Sequence, residues 1–361
     1  MFTDLEKALE FLQTLVSIPS YSDQEDLVAS EWEKWLKQQG VKKVERYLNN
    51  IFVISENYDS EKPILMLNSH MDTVRPVKSY TRDPFKAEIK EGKLYGLGSN
   101  DAGGSGVSLA LTFLSYYKRT NLPFNIMLAI TASEERMGEG GMRAFLPFLK
   151  ERNLYPDYAL VGEPTDCKAA IAERGLVVVD ATVKGESAHA ARAGGVNAIY
   201  GACEDINLIR QIKWDKESEI LGPVKATVTM INSGTQHNII PDICNYVIDV
   251  RTTDAFTNEE TVEILRDTVN NSELTPRSFR IRPSVLKSES VLCRAAELSG
   301  LEKIISPTTS DMALMYDIPS IKIGPGKSER SHTADEFIKL EEIQQGLETY
   351  ARFLDHLVTL I

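Results

Sequence analysis

The decapeptide LMLNSHMDTV, residues 65–74, runs from aliphatic side chains straight into His70 and, two positions on, Asp72. Imidazole and carboxylate together can hold a cation or move a proton, and four further stretches set such groups at strand ends or in glycine-rich loops. They are Asp101 in YGLGSNDAGG, Glu134 and Glu135 in LAITASEERMGEGG, Glu163 in ALVGEPTD, and His332 in GPGKSERSHTADE. Two carboxylates side by side beyond a buried strand repel each other unless a proton or a cation compensates them. Glu134 and Glu135 therefore ask for a metal.

Two imidazoles with several carboxylates suit zinc or a similar divalent ion, and an aspartate shared between two ions suits a two-metal hydrolase. In that chemistry bound water loses its proton near neutral pH while a carbonyl is polarised and its tetrahedral oxyanion stabilised. A carboxylate outside the ligand set must then carry the proton to the leaving amine, and one of the two adjacent glutamates is the natural choice. Cys167, Cys203, Cys244 and Cys293 are too widely separated for a CxxC site and read as reduced packing residues. Zinc, if held, is held by histidine and carboxylate. GLGSNDAGG lacks the third glycine of a dinucleotide loop in register and is followed by no acidic residue at a convincing strand end, which argues against that reading.

The elements that must position these groups alternate. PILMLNS, Pro63–Ser69, reads as a buried parallel strand ending where His70 begins, and ligands of open α/β sheets collect beyond such ends. A capping box at Thr3 and Glu6 opens an amphipathic helix that stops before Pro19, and a second helix is expected over about 24–40. NIFVIS, FNIMLAIT and YALVGEP read as further strands, with a helix over about 105–117 among them. Strands alternating with helices predict an α/β fold with a mixed, mostly parallel sheet flanked by helices. From about residue 175 the texture becomes β-branched and half-alternating, in GLVVVDATVKG, VKATVTMINSG and NYVIDVRTT, with helices over about 197–211 and 259–269. This predicts an inserted α+β unit over residues 175–281, with 1–174 and 282–361 forming the catalytic domain. A long helix from Leu340 to Ile361 closes the chain.

With 361 residues, 42% hydrophobic and 25% charged, the chain is long enough for two domains with real cores. A net charge of -12 without long basic clusters argues against a nucleic-acid partner, and no leader or membrane-length apolar run is present, so a cytoplasmic protein is expected.

The ordered set His-x-Asp, Asp-x-Gly-Gly, Glu-Glu, Gly-Glu-Pro-Thr and a late histidine resembles the M20 family of metallopeptidases and deacylases, above all its acetylornithine deacetylases and succinyl-diaminopimelate desuccinylases. The resemblance implies a zinc-exopeptidase-like fold and two divalent ions, Zn²⁺ first, with Co²⁺ or Mn²⁺ also accepted. His70, Asp101 and Glu163 would hold one ion and Asp101, Glu135 and His332 the other. Asp72 would orient His70, and Glu134 would be the general acid/base. It also implies that the inserted unit is a lid and dimerisation domain, giving a homodimer. Within it His189, in KGESAHAARAGG, would stabilise the substrate oxyanion, Asn238 in QHNIIPD would touch substrate, and Arg251 would clamp its carboxylate. Asp311 in TTSD and Gly324 in the GPG loop would line the same pocket. The expected activity is removal of an acyl group from the α-nitrogen of an amino acid, first N-acetylornithine in arginine biosynthesis. A succinyl substrate, with Arg174 or Arg192 as the extra cation, is the alternative, beside a carboxypeptidase or dipeptidase. An inactive amino-acid- or metal-binding homologue would instead lack a ligand or the base.

Overall fold

The computed structural model describes residues 2–361, with side chains from Asp4 onward, so the expected Thr3 capping box lies outside the described residues. The chain forms two compact units, one of residues 1–171 and 286–361 and the other of residues 172–285. Among the described residues no helix is long and apolar enough to cross a membrane.

The first unit is built on a mixed sheet whose centre is parallel. Strands Asn125–Thr131, Ile64–His70, Tyr158–Val161 and Ser320–Lys322 lie side by side in that order, all parallel. Asn50–Ile54 and Glu45–Tyr47 add antiparallel strands beyond Asn125–Thr131. Ile64–His70 is buried along its whole length, as expected of a strand covered on both faces, and it includes His70 rather than stopping before it. Successive side chains alternate between two cores. Leu65 and Leu67 join Leu12, Trp32, Leu36, Phe113, Phe353 and Leu357 on the face covered by helices Phe2–Val16, Asp26–Gln38, Gly104–Tyr116 and Leu340–Val358. Ile64 and Met66 join Phe145, Leu149, Met312 and Met315 under helix Met142–Glu151. The second expected helix is real, although Leu27 on it is exposed and outside the core.

The register explains why chemistry gathers at one edge. His70 is paired with Thr131, Asn68 with Val161, and Lys322 with the same Val161, so the four parallel strands end nearly level. The segments leaving those ends carry Asp72, Glu134 with Glu135, Glu163, and His332 respectively.

The second unit is an antiparallel sheet in the order Lys225–Ser233, Ile243–Thr252, Gly175–Lys184, Ser272–Pro276. Strict in-and-out alternation along Gly175–Lys184 buries Val177, Val179, Ala181 and Val183 in its core. Helices Ala198–Arg210 and Asn258–Thr268 pack on them, the latter begun by a Thr257–Glu260 capping box. The four cysteines are free, and one corrects the packing expectation: Cys203 is exposed, while Cys167, Cys244 and Cys293 are buried.

Candidate metal centre

His70, Asp101, Glu134, Glu135, Glu163 and His332 converge in the first unit. His70 Nε2 lies 3.3 Å from Asp101 Oδ1, 3.6 Å from Glu163 Oε1 and 4.0 Å from Glu134 Oε2. His332 Nε2 lies 2.8 Å from Glu135 Oε2 and 3.7 Å from Asp101 Oδ2. The two oxygens of Asp101 thus face different imidazoles, with Glu163 on one side and Glu135 on the other. Glu134 lies in the same cluster, yet its carboxylate makes no hydrogen bond among the described residues.

Burial and neighbouring charge set the electrostatics of the cluster. Burial raises the carboxyl of Glu134 well above its ordinary range, and it pushes Glu163 up to about 8 and Asp311 up to about 6. Glu135 is raised for the same reason. Burial alone would lower His70, but Glu163, Asp101 and Asp72 around it hold its ring well above the usual value. The hydrogen bond to Glu135 lifts His332 to about 9. Buried carboxyls that favour their protonated form thus surround two imidazoles that favour their charged form. Two triplets bring their donor atoms within 4.8 Å of one another, His70 with Glu134 and Glu163, and His70 with Asp101 and Glu135, and these imidazole and carboxylate donors, with no thiol among them, fit divalent metal ions.

The positioning of each group can be traced to its loop. The His70 Nδ1–H donates to the backbone carbonyl of Asp72 at 2.9 Å, leaving Nε2 to face the carboxylates. The Asp72 carboxylate does something else as well. Its Oδ1 accepts the Glu134 N–H at 3.0 Å, and its Oδ2 accepts the Glu135 N–H at 3.2 Å and the Ser22 hydroxyl at 2.7 Å. Its distance to His70 Nδ1 is 3.5 Å, so the backbone carbonyl, not the carboxylate, makes the shorter contact with the ring. Just before the paired glutamates, Ser133 adopts φ +53, a left-handed conformation uncommon for a residue with a side chain. Glu25, 1% exposed, holds it there by accepting both the Ser133 N–H and its hydroxyl.

Asp101 sits in a tight turn, Ser99–Gly103, that feeds helix Gly104–Tyr116, and the Asp101–Ala102 peptide is cis. Gly98 enters the turn at φ +76, where a Cβ would meet Thr73 Cγ2 at 2.6 Å. Glu336, four residues beyond His332, accepts the N–H groups of Gly98, Asn100 and Asp101. Glu25, Ser22 and Glu336 were not anticipated. Only Glu336 had a signal, its place in the SHTADE stretch.

The other expected site residues have surroundings of their own. Asp311 is 1% exposed and bonded by the Thr131 hydroxyl beneath the cluster, so it is a buried neighbour of the centre and not an open pocket wall. Gly324 is likewise buried. Its N–H donates to the Thr165 hydroxyl and its carbonyl accepts from Thr165 and Cys167, so neither backbone group is left for a substrate. Close packing explains the glycine there, since a Cβ would come within 2.4 Å of the Glu163 carbonyl oxygen. His189, Asn238 and Arg251 belong to the second unit. His189 is paired across a short antiparallel ladder with Ile239, and the Ala190 N–H donates to the Asn238 carbonyl, so His189 and Asn238 share one local structure. The His189 Nδ1 accepts the Ala191 N–H, which leaves Nε2 to carry the proton of the neutral ring. Asn238 Oδ1 is buried without a hydrogen-bond partner. Arg251 is engaged by Asp249 through two contacts, at 2.8 and 3.1 Å.

The model of peptidase family M20/M25/M40 matches residues 66–356. A succinyl-diaminopimelate desuccinylase of Helicobacter pylori (strain HPAG1) is 30% identical, the alignment covering 93% of this chain and 95% of that protein. Among solved structures, the aminopeptidase PepT of Bacillus cereus ATCC 10987 is similar with a TM-score of 0.79 at 20% identity, covering 98% of both chains. A dinuclear metal-binding peptidase of the M20 family from Bacillus subtilis is similar with a TM-score of 0.74 at 15% identity, over 100% of this chain and 99% of that one. These structural likenesses speak for the fold.

Proposed function

Because the chain belongs to peptidase family M20/M25/M40 and is a metal-dependent amidohydrolase, we propose that it removes the succinyl group from N-succinyl-diaminopimelate or a closely related N-succinyl amino acid. The observation that carries the hydrolytic reading is the Asp101 carboxylate, one oxygen toward His70 and the other toward His332, with an unengaged Glu134 beside them. The substrate reading is supported by the end-to-end relationship with a desuccinylase, and the earlier expectation of an acetyl group on ornithine gives way to it.

His70, Asp101 and Glu163 would hold one ion, and Asp101, Glu135 and His332 the other, with Zn²⁺ favoured by the donors and Co²⁺ or Mn²⁺ accepted by them. Such ions supply polarisation of the scissile carbonyl and acidify the attacking water. Glu134 takes that water's proton and returns it to the leaving amine, a task suited to a carboxyl that no other side chain has claimed. Asp72 serves Glu134 by fixing its backbone N–H, and serves His70 through its own carbonyl. His189 would offer an Nε2–H to the oxyanion, and Asn238, which shares its local ladder, would contact the substrate. Arg174 is committed to the carbonyls of Leu221 and Pro223, whereas the Arg192 side chain is exposed, so Arg192 is the better receiver of a succinyl carboxylate. The second unit would act as lid and as dimer interface. Its edge strand Lys225–Ser233 exposes Met230 and Ile231, a pairing surface that a second copy would cover.

The test is amine release by metal-loaded protein from N-succinyl-diaminopimelate, N-succinyl-ornithine, N-acetyl-ornithine and a dipeptide panel. Turnover of succinyl substrates, lost in Glu134→Ala, supports the proposal. Turnover of acetyl-ornithine or dipeptides alone overturns it.

A further inference from the structure

We propose that Glu336 is a positioning residue that sets where Asp101 stands relative to His332. The proposal rests on the reading of Asp101, Glu135 and His332 as ligands of one ion. Glu336 is 2% exposed, and no Lys or Arg pairs with it among the described residues. Its carboxylate is instead filled by backbone. Oε2 accepts the Gly98 N–H at 3.0 Å, while Oε1 accepts the Asn100 N–H at 2.8 Å and the Asp101 N–H at 2.9 Å. The Gly96 N–H donates to the Glu336 carbonyl at 2.9 Å, so the same residue grips that turn through its own main chain too.

Three amides from four consecutive residues converging on one carboxylate fix the turn's orientation more tightly than any single bond could. Asp101 is the last residue of that triplet, so its peptide plane is directly held. Glu336 is also joined to His332 by only three intervening residues, and His332 itself takes φ +60. One carboxylate thereby ties two loops that are distant in sequence, each bringing a ligand to the same centre. A shift at Glu336 moves Asp101 and His332 against each other. The ion between His70 and Glu163 would feel only the Asp101 half of that shift.

The neighbouring Asp335 provides the contrast. Its carboxylate accepts the N–H groups of Thr81 and Arg82 and the Thr81 hydroxyl, fastening a different loop that carries no ligand. A change at Asp335 should free the Thr81–Arg82 loop and leave the Asp101 turn in place. Misplacing Asp101 should follow only from changes at Glu336.

Equilibrium titration of chelator-stripped full-length protein with Zn²⁺ and, for its visible absorption, Co²⁺ tests this. The native chain should bind two ions. Glu336→Gln puts an amide –NH₂ against an N–H, and it should weaken the second ion about 10- to 100-fold while the first weakens less, so that limiting metal yields one ion per chain. Glu336→Asp, with the charge kept one methylene short, should lose less than Glu336→Gln and more than Asp335→Asn, which should match the native chain. If Glu336→Gln fails to fold, the ordering of Glu336→Asp against Asp335→Asn decides. Two unchanged affinities in the Glu336 variants, or equal losses at positions 335 and 336, overturn the proposal. A native chain that binds no pair of ions would instead overturn the ligand reading beneath it.

Discussion

Asp72→Asn separates two accounts of one buried carboxylate. If Asp72 acts mainly by orienting His70, the amide should cost metal affinity first. The geometry argues otherwise, because the His70 N–H goes to the Asp72 main-chain carbonyl, which the substitution leaves in place. What changes is the pair of oxygens that receive the Glu134 and Glu135 amides. Asparagine can keep one of these bonds, now to a neutral acceptor, at a loss of about 1 kcal/mol, the difference between charge-assisted and neutral hydrogen bonds. The other N–H then faces an amide –NH₂, and a buried unsatisfied donor costs about 1–3 kcal/mol. Ser22 can rotate its hydroxyl to accept, so it adds little. The sum is about 2–4 kcal/mol, which appears as lost stability if the turn stays put, or as lost rate if the turn relaxes and carries Glu134 away. At about 1.4 kcal/mol per tenfold, the ceiling on the rate effect is roughly 30- to 1000-fold in kcat. Urea unfolding and steady-state kinetics on the same preparation measure both parts, with bound metal counted alongside. A variant of native stability and native kcat, or one whose first defect is loss of metal, refutes the reasoning.

Glu134→Gln should keep its metal and its KM while kcat falls by about 10²- to 10⁴-fold, measured with the substrate the panel identifies; a drop smaller than tenfold would remove Glu134 as the base. Adding Zn²⁺ to stripped protein should raise the unfolding midpoint, by about 2.7 kcal/mol of stability at a hundredfold excess over Kd, and Asp101→Asn should abolish most of that rise in calorimetry. The Arg330–Glu342 pair, with contacts of 2.6 and 2.8 Å, gives a pH signature. Burial alone would raise the Glu342 carboxyl, but Arg330 holds it below its ordinary value of 4.5. A depressed carboxyl contributes stability above the unfolded value, and that contribution is lost as pH falls through the folded value. Urea midpoints of Glu342→Gln should therefore trail the native protein at pH 7 and converge with it as acid takes the pH through the depressed folded value; a constant gap would exclude the pair as the cause.

The strand ending at His70 and the loops that bring histidine and carboxylate beside it were legible because hydrophobic runs and clustered histidine and carboxylate are local properties of the sequence. Asp311 and Gly324 were recognisable as parts of the site's neighbourhood, but not as buried ones, since burial depends on what packs over them. Arg251 was legible as a cation and illegible as the partner of Asp249. The supports were harder still. Glu25 and Glu336 act by accepting backbone N–H groups, which every residue but proline offers, so nothing at the receiving end marks the pairing. The inserted unit was visible from the change in strand texture near residue 175, while its boundaries depended on contacts that periodicity does not encode.

The supports of the centre come from both ends of the chain. Ser133 hangs from Glu25 across 108 residues, and Asp101 hangs from Glu336 across 235. Closing such long loops is entropically expensive and slow compared with forming the local helices and neighbouring strands. During synthesis, the turn bearing Asp101 leaves the ribosome long before the carboxylate that grips it exists. The hydrophobic layers can therefore condense on a nascent chain while the Asp101 turn is still loosely disposed, and that turn is fixed only once the segment carrying His332 and Glu336 has joined them.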